Sequence, residues 1–158
     1  MNAQLGLGAR LDLPLSAIAP GLDPSRSWKW EERDEEWLVG DTTNASIGQG
    51  FALATPMQPA VMVARVATGR AVAPRLVRSM GIAPLLVEPA PELDVPRQAL
   101  DLARVGMFDV VNHERGTAYA ARVVEPGFAL AGKTGTSQVF SITAAERAAD
   151  IRSQDQLP

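Results

Sequence analysis

The chain has 158 residues, the length of one ordinary domain, with 46% apolar and 21% charged residues, a balance that excludes a disordered or membrane-embedded composition. Its formal net charge is −3 and its 13 arginines and two lysines are scattered, so there is no basic stripe to bind nucleic acid. The absence of cysteine excludes disulfides, thiolate metal sites and a cysteine nucleophile, but fits an oxidising compartment and the cytosol equally well.

Residues 6–8 (Gly-Leu-Gly) and the proline-containing stretch 14–24 predict loop or irregular extended chain, with Leu11, Leu13 and Leu15 alternating as in a short strand. No apolar run approaches the roughly 18 residues of a membrane span, and residues 1–20 lack the basic start and apolar middle of a signal peptide. Any export signal or anchor is therefore expected outside these residues. Over residues 28–37 three tryptophans are interleaved with Lys29, Arg33 and a run of acids. That pattern suits either a charged surface hairpin or a turn of helix with aromatic anchors.

Thr55-Pro56 predicts a helix start, with threonine as N-cap and proline in the first helical position. Met57, Ala60, Val61, Ala64 and Ala67 follow at helical spacing until Gly69. Residues 72–80 predict an edge strand, because Pro74 cannot donate to a central ladder, and a second short strand is expected over 84–88. A further start signal at Asp94 to Pro96 precedes one stripe of Leu100, Ala103, Met107, Val110 and Val111, which predicts a helix ending near Asn112. Arg115-Gly116-Thr117 breaks the chain, residues 118–122 suit a short helix, Glu125-Pro126-Gly127 a turn, and residues 128–140 an extended segment. In the tail, residues 144–149 suit a helical turn, and the rest reads as polar loop.

One motif permits two chemistries. Residues 127–134, Gly-Phe-Ala-Leu-Ala-Gly-Lys-Thr, satisfy G-x-x-x-x-G-K-[ST], the phosphate-cradling loop of nucleotide hydrolases. Such a loop must open directly into a helix, yet Gly135 follows at once, at a cost of about 1 kcal/mol in a helical turn, and Thr136 and Val139 prefer extended backbone. A nucleotide hydrolase is accordingly disfavoured. The competing pattern is Lys133-Thr134-Gly135-Thr136-Ser137 on an edge strand, the Lys-Thr-Gly motif of serine penicillin-recognising enzymes. A ligand carboxylate requires a cation and hydroxyl donors, which Lys133, Thr134 and Thr136 supply, and Gly135 lets a ligand backbone approach closely. The ligand would lie along the strand, with a backbone N–H near Thr136 facing a developing oxyanion.

The ordered set of motifs resembles class B penicillin-binding proteins of the penicillin-binding protein 2 type. It consists of Gly40-Asp41-Thr42-Thr43-Asn44-Ala45-Ser46-Ile47-Gly48-Gln49-Gly50, Thr55-Pro56-Met57-Gln58, Val111-Asn112, Gly116-Thr117-Ala118, residues 131–139 around Lys-Thr-Gly, and the closing Arg152 to Pro158. The resemblance implies an α+β fold, part of the penicillin-binding transpeptidase (serine β-lactamase-like) architecture, with helices packed on an antiparallel sheet and residues 1–158 forming a partial transpeptidase domain. It also implies a peptidoglycan D,D-transpeptidase that crosslinks stem peptides during cell elongation through an acyl-serine. Such a protein uses no cofactor, takes the stem peptide and β-lactams as ligands at Lys133, Thr134, Gly135 and Thr136, and meets elongation-machinery membrane proteins at the periplasmic face of the inner membrane.

The sequence departs from that family where the reaction is concerned. The residues three before Lys29 and Lys133 are Arg26 and Leu130, so no Ser-x-x-Lys is present, and none of Asn2, Asn44 and Asn112 has a serine two residues earlier. The chain is thus expected to be truncated at both ends, inactive by itself, and marginally stable or aggregation-prone because unpaired edges are exposed. His113, the only histidine, is expected at the surface or a helix end rather than on a metal. Two alternatives share Lys-Thr-Gly or the fold piece: the septal division paralogue or a penicillin-recognising sensor, and a non-catalytic interaction module.

Overall fold

The computed structural model describes residues 2–136. Five α-helices are α1 (Asn2–Leu5), α2 (Arg26–Arg33), α3 (Val39–Ser46), α4 (Met57–Thr68) and α5 (Arg97–Asn112). A two-stranded antiparallel sheet, β1 (Ser79–Met80) with β2 (Ala83–Pro84), precedes α5, and a 3-10 turn at Tyr119–Ala121 follows it. These elements form an incomplete α+β arrangement, predominantly helical.

The helices begin and end where local chemistry says they should. Ser25 stands in extended backbone and its Oγ accepts from the Trp28 N–H at 3.1 Å, starting α2. Before α4, Pro56 already has right-handed helical backbone, and the Gln58 side-chain oxygen accepts from the Thr55 N–H at 2.9 Å. The expected threonine hydroxyl cap does not form, since Pro56 is the N-cap and makes no side-chain cap; the Gln58 amide oxygen satisfies the Thr55 N–H that precedes the helix. Gly69, at φ 69°, ends α4 in the left-handed region that favours glycine.

Helices α4 and α5 pack together, and α1 lies on α4. Val61 of α4, Leu100 and Val111 of α5, and Leu11 from the loop after α1 are the buried aliphatic side chains among the described residues. One polar side chain is wholly enclosed: Gln58 donates to the carbonyls of Ala9 (2.9 Å) and Pro20 (2.7 Å), which fastens the 9–20 loop over α4. Arginines clamp other carbonyls. Arg65 donates to Val72 and Gln4, Arg104 to Val66, and Arg70 to Ala90.

The strand expectations need correcting. Of residues 72–80 only Ser79 and Met80 enter a ladder, and their partners are Ala83 and Pro84 rather than a strand over 84–88. Prolines at 74, 84, 89 and 91 remove the donors that a longer ladder requires. The stretch 70–72 instead meets residues 91–92 through one isolated bridge, Arg70 to Glu92. Leu11, Leu13 and Leu15 form no strand; the inward-facing Leu11 covers the core and Leu15 is exposed. The expected helical turn at 144–149 lies outside the described residues.

Candidate functional site

The site is built from the C-terminal end of α5 and the segment that returns beside it. His113 caps α5 and is exposed; its Nδ1 accepts from the Arg115 N–H at 3.2 Å. The chain then reverses tightly, with Gly116 N–H donating to His113 O (2.8 Å) and Ala118 N–H to Val110 O (3.0 Å). A Cβ on Gly116 would lie 2.3 Å from Val110 O and 2.5 Å from Asp109 O, so only glycine fits there without a backbone shift. Thr117 is thereby held at the helix end.

A turn at residues 125–128, closed by Phe128 N–H on Glu125 O with Gly127 at φ 86°, sends the chain back along α5. The returning segment bonds to the helix. Gly132 N–H donates to Met107 O (3.0 Å), and Asn112 Nδ2 donates both to Phe108 O (2.9 Å) and to Leu130 O (2.8 Å). Asn112 so ties the last turn of its own helix to the returning segment through one side-chain amide. The hydroxyl oxygens of Thr117 and Thr134 stand 3.1 Å apart.

Lys133, Thr134, Gly135 and Thr136 are all exposed. Lys133 Nζ donates to Thr134 O at 2.6 Å, and a Cβ on Gly135 would meet nothing within 4 Å, so the segment presents a cation, two hydroxyls and open backbone on one short stretch. No ladder pairs residues 128–136 among the described residues, which differs from the expected edge strand. A strand exists only beside another strand, and here the hydrogen bonds run to α5. The continuation from Ser137 lies outside the described residues.

A second charged cluster has a different character. Lys29 is 3% exposed, and its ammonium donates to Asp41 Oδ2 (2.8 Å) and Glu36 O (2.9 Å), with Glu35 at 3.4 Å. Asp41 Oδ2 also accepts from Leu38 N–H at 2.8 Å, at the start of α3. The hydrogen bond to Asp41 raises the Lys29 pKa above the ordinary lysine value against the opposing effect of burial; the same bond, helped by Leu38, holds Asp41 below the usual carboxylate range. Phe51 packs on Trp28 at 5.3 Å between ring centroids, within cation–π reach of Lys29 and Arg33.

Sequence reasoning missed Asn112 and Thr117 as supports of the site, although both lie in motifs that carry the family resemblance. It also missed the burial of Lys29, which no local pattern pairs with Asp41. A cavity of about 280 Å³ opens between the end of α4 and the start of α5, flanked by Arg70, Arg97 and Arg104 with Glu92 and Asp101. Among the described residues no group of His, Cys, Asp or Glu is arranged to hold a metal, and no helix is long and apolar enough to cross a membrane.

Known proteins place this arrangement. The family model described as penicillin binding protein transpeptidase domain matches residues 1–150. Peptidoglycan D,D-transpeptidase MrdA of Salmonella typhimurium is 35% identical over 150 residues, covering 90% of this chain and 24% of that relative. The chain therefore spans about a quarter of the length of the curated relatives it matches. Among solved structures, Pseudomonas aeruginosa PBP2 in complex with WCK 5153 superposes with a TM-score of 0.74 at 35% identity, over 87% of this chain and 32% of the other. PBP2 of Helicobacter pylori, solved in complex with MreC, gives 0.73 at 33% identity, over 87% and 25%. On sequence and fold together, the chain belongs to the penicillin-binding protein transpeptidase domain family.

Proposed function

We propose that this chain forms the carboxylate-binding wall of a peptidoglycan D,D-transpeptidase of the elongation type, and that it does not react by itself. The observation that carries this is the exposed group Lys133, Thr134, Gly135 and Thr136 fastened to α5. The terminal carboxylate of a stem peptide, or of a β-lactam, would receive the Lys133 ammonium and the two threonine hydroxyls, while Gly135 leaves room for the ligand backbone. No helical turn starts within residues 133–136, which counts against a phosphate loop.

Acyl transfer requires an activated nucleophile, and the sequence has neither Ser-x-x-Lys nor Ser-x-Asn. Serine and its base would come from another part of the working enzyme, at the periplasmic face of the inner membrane. The MrdA relatives favour the elongation type over the septal paralogue, and the Helicobacter pylori complex with MreC supports a membrane-associated elongation protein as partner. Labelled penicillin tests the proposal: this chain should remain unlabelled, whereas a longer gene product carrying Ser-x-x-Lys in frame should label. Covalent labelling of the 158-residue chain itself would refute it.

A further inference from the structure

We propose that Thr117 is a positioning residue of the carboxylate site, donating its hydroxyl proton to Thr134 so that Thr134 keeps its own proton for an anionic ligand; this rests on the assignment of Lys133, Thr134 and Thr136 to ligand binding.

A hydroxyl has one proton and two acceptor lone pairs, and an ionised carboxylate only accepts. Thr117 Oγ1 and Thr134 Oγ1 are 3.1 Å apart and either can donate to the other, so one proton lies between them. If Thr134 supplied it, a carboxylate beside Lys133 would face Thr134 lone pairs and be repelled. The bound state therefore requires one direction only: Thr117 to Thr134, and Thr134 to the ligand. Donation from Thr117 also polarises the Thr134 hydroxyl and strengthens its outward bond.

The arrangement is held from behind. Thr117 sits between Gly116 and Ala118, whose N–H groups are fixed on His113 O and Val110 O at the end of α5. Thr134 follows Gly132, which is fixed on Met107 O of the same helix. The end of α5 thus holds the Thr117 hydroxyl within hydrogen-bonding distance of the Thr134 hydroxyl. A consequence is selectivity: a terminal carboxamide both donates and accepts and can use Thr134 in either sense, so the Thr117 hydroxyl matters for the acid and not for the amide.

The test follows the backbone amides of residues 132–135 by NMR in the ¹⁵N-labelled full chain, titrated with N-acetyl-D-alanyl-D-alanine and with its C-terminal amide. Thr117→Val should bind the acid about three- to tenfold more weakly with amide binding unchanged, and Thr117→Ser should restore the acid preference. Equal loss for acid and amide, or no loss in Thr117→Val, overturns the role of Thr117 while leaving Lys133 and Thr134 as ligand groups. Failure of the unsubstituted chain to prefer the acid overturns the ligand assignment, and the role of Thr117 with it.

Discussion

The two lysines of this chain stand in opposite situations. Lys29 is enclosed and its donors are occupied by Asp41, Glu36 and Glu35; Lys133 is exposed, with a neighbouring backbone carbonyl as its recorded hydrogen-bond partner. An enclosed charge surrounded by acceptors holds chain segments together, and removing it strands its partners. A charge at the surface has screened, modest effects on stability and stays available to an incoming anion. The same residue type is enclosed and structural in one place and open to solvent in the other because of what surrounds the ammonium.

Exchanging the lysines should separate those roles, and the largest expected effect is at Lys29. Lys29→Met should lower the melting temperature more than any other substitution named here and leave ligand binding unchanged. Lys133→Met should do the reverse, leaving the melting temperature within a few degrees and weakening the acid by at least about tenfold, as expected for a charge-assisted hydrogen bond. Parallel thermal melts and titrations check both, and a melting temperature unaffected by Lys29→Met would dissolve the contrast.

Acid adds a second means of testing the enclosed pair. The folded pKa of Asp41 is depressed, so its contribution is complete above the ordinary aspartate value of about 4 and is lost as pH falls through the lower folded value. The folded pKa of Lys29 is raised, so its contribution is complete below about pH 10 and is lost as pH rises through the higher folded value. In Lys29→Met the acid-side loss should shrink, because the main cause of the Asp41 depression is gone. Denaturant midpoints measured from pH 5 downward would show it.

A smaller effect is expected behind the open lysine. Gly116→Ala forces a Cβ against the carbonyls of Asp109 and Val110 and should cost about 1–3 kcal/mol, read from denaturant unfolding. Asn112→Ala removes the donor shared by Phe108 O and Leu130 O and should cost about 1 kcal/mol. It should also speed hydrogen exchange at the Gly132 amide, with the hydrogen bonds around Lys29 unaffected. Equal exchange rates at Gly132 would mean that Asn112 does not hold the segment.

Much of the helical part was legible. Gly69 ends α4 and residues 97–112 form α5, as the apolar spacing and the stop signals predict. Helix α2 bears out the helical one of the two readings left open over residues 28–37, whereas α3 was not foreseen, because its sequence carries few apolar positions; Ser25 and Asp41 act through single hydrogen bonds at the first turn. The strand expected over 72–80 forms only at Ser79 and Met80, because the prolines at 74, 84, 89 and 91 remove the donors that a longer ladder requires. At the site, the chemical nature of Lys133, Thr134, Gly135 and Thr136 was readable, but the residues that hold them were not.

By itself the sequence determined the family, the ends of the two packed helices and the Lys133-Thr134-Gly135-Thr136 motif, since each of these is written in residues a few positions apart or in an ordered series of motifs. Only the tertiary structure decided that Lys29 closes on Asp41, that Asn112 ties α5 to Leu130, and that Thr117 meets Thr134. Those pairs join residues with no periodic relation, and a hydrogen bond is selected by distance and direction in space, which the order of residues along the chain does not encode.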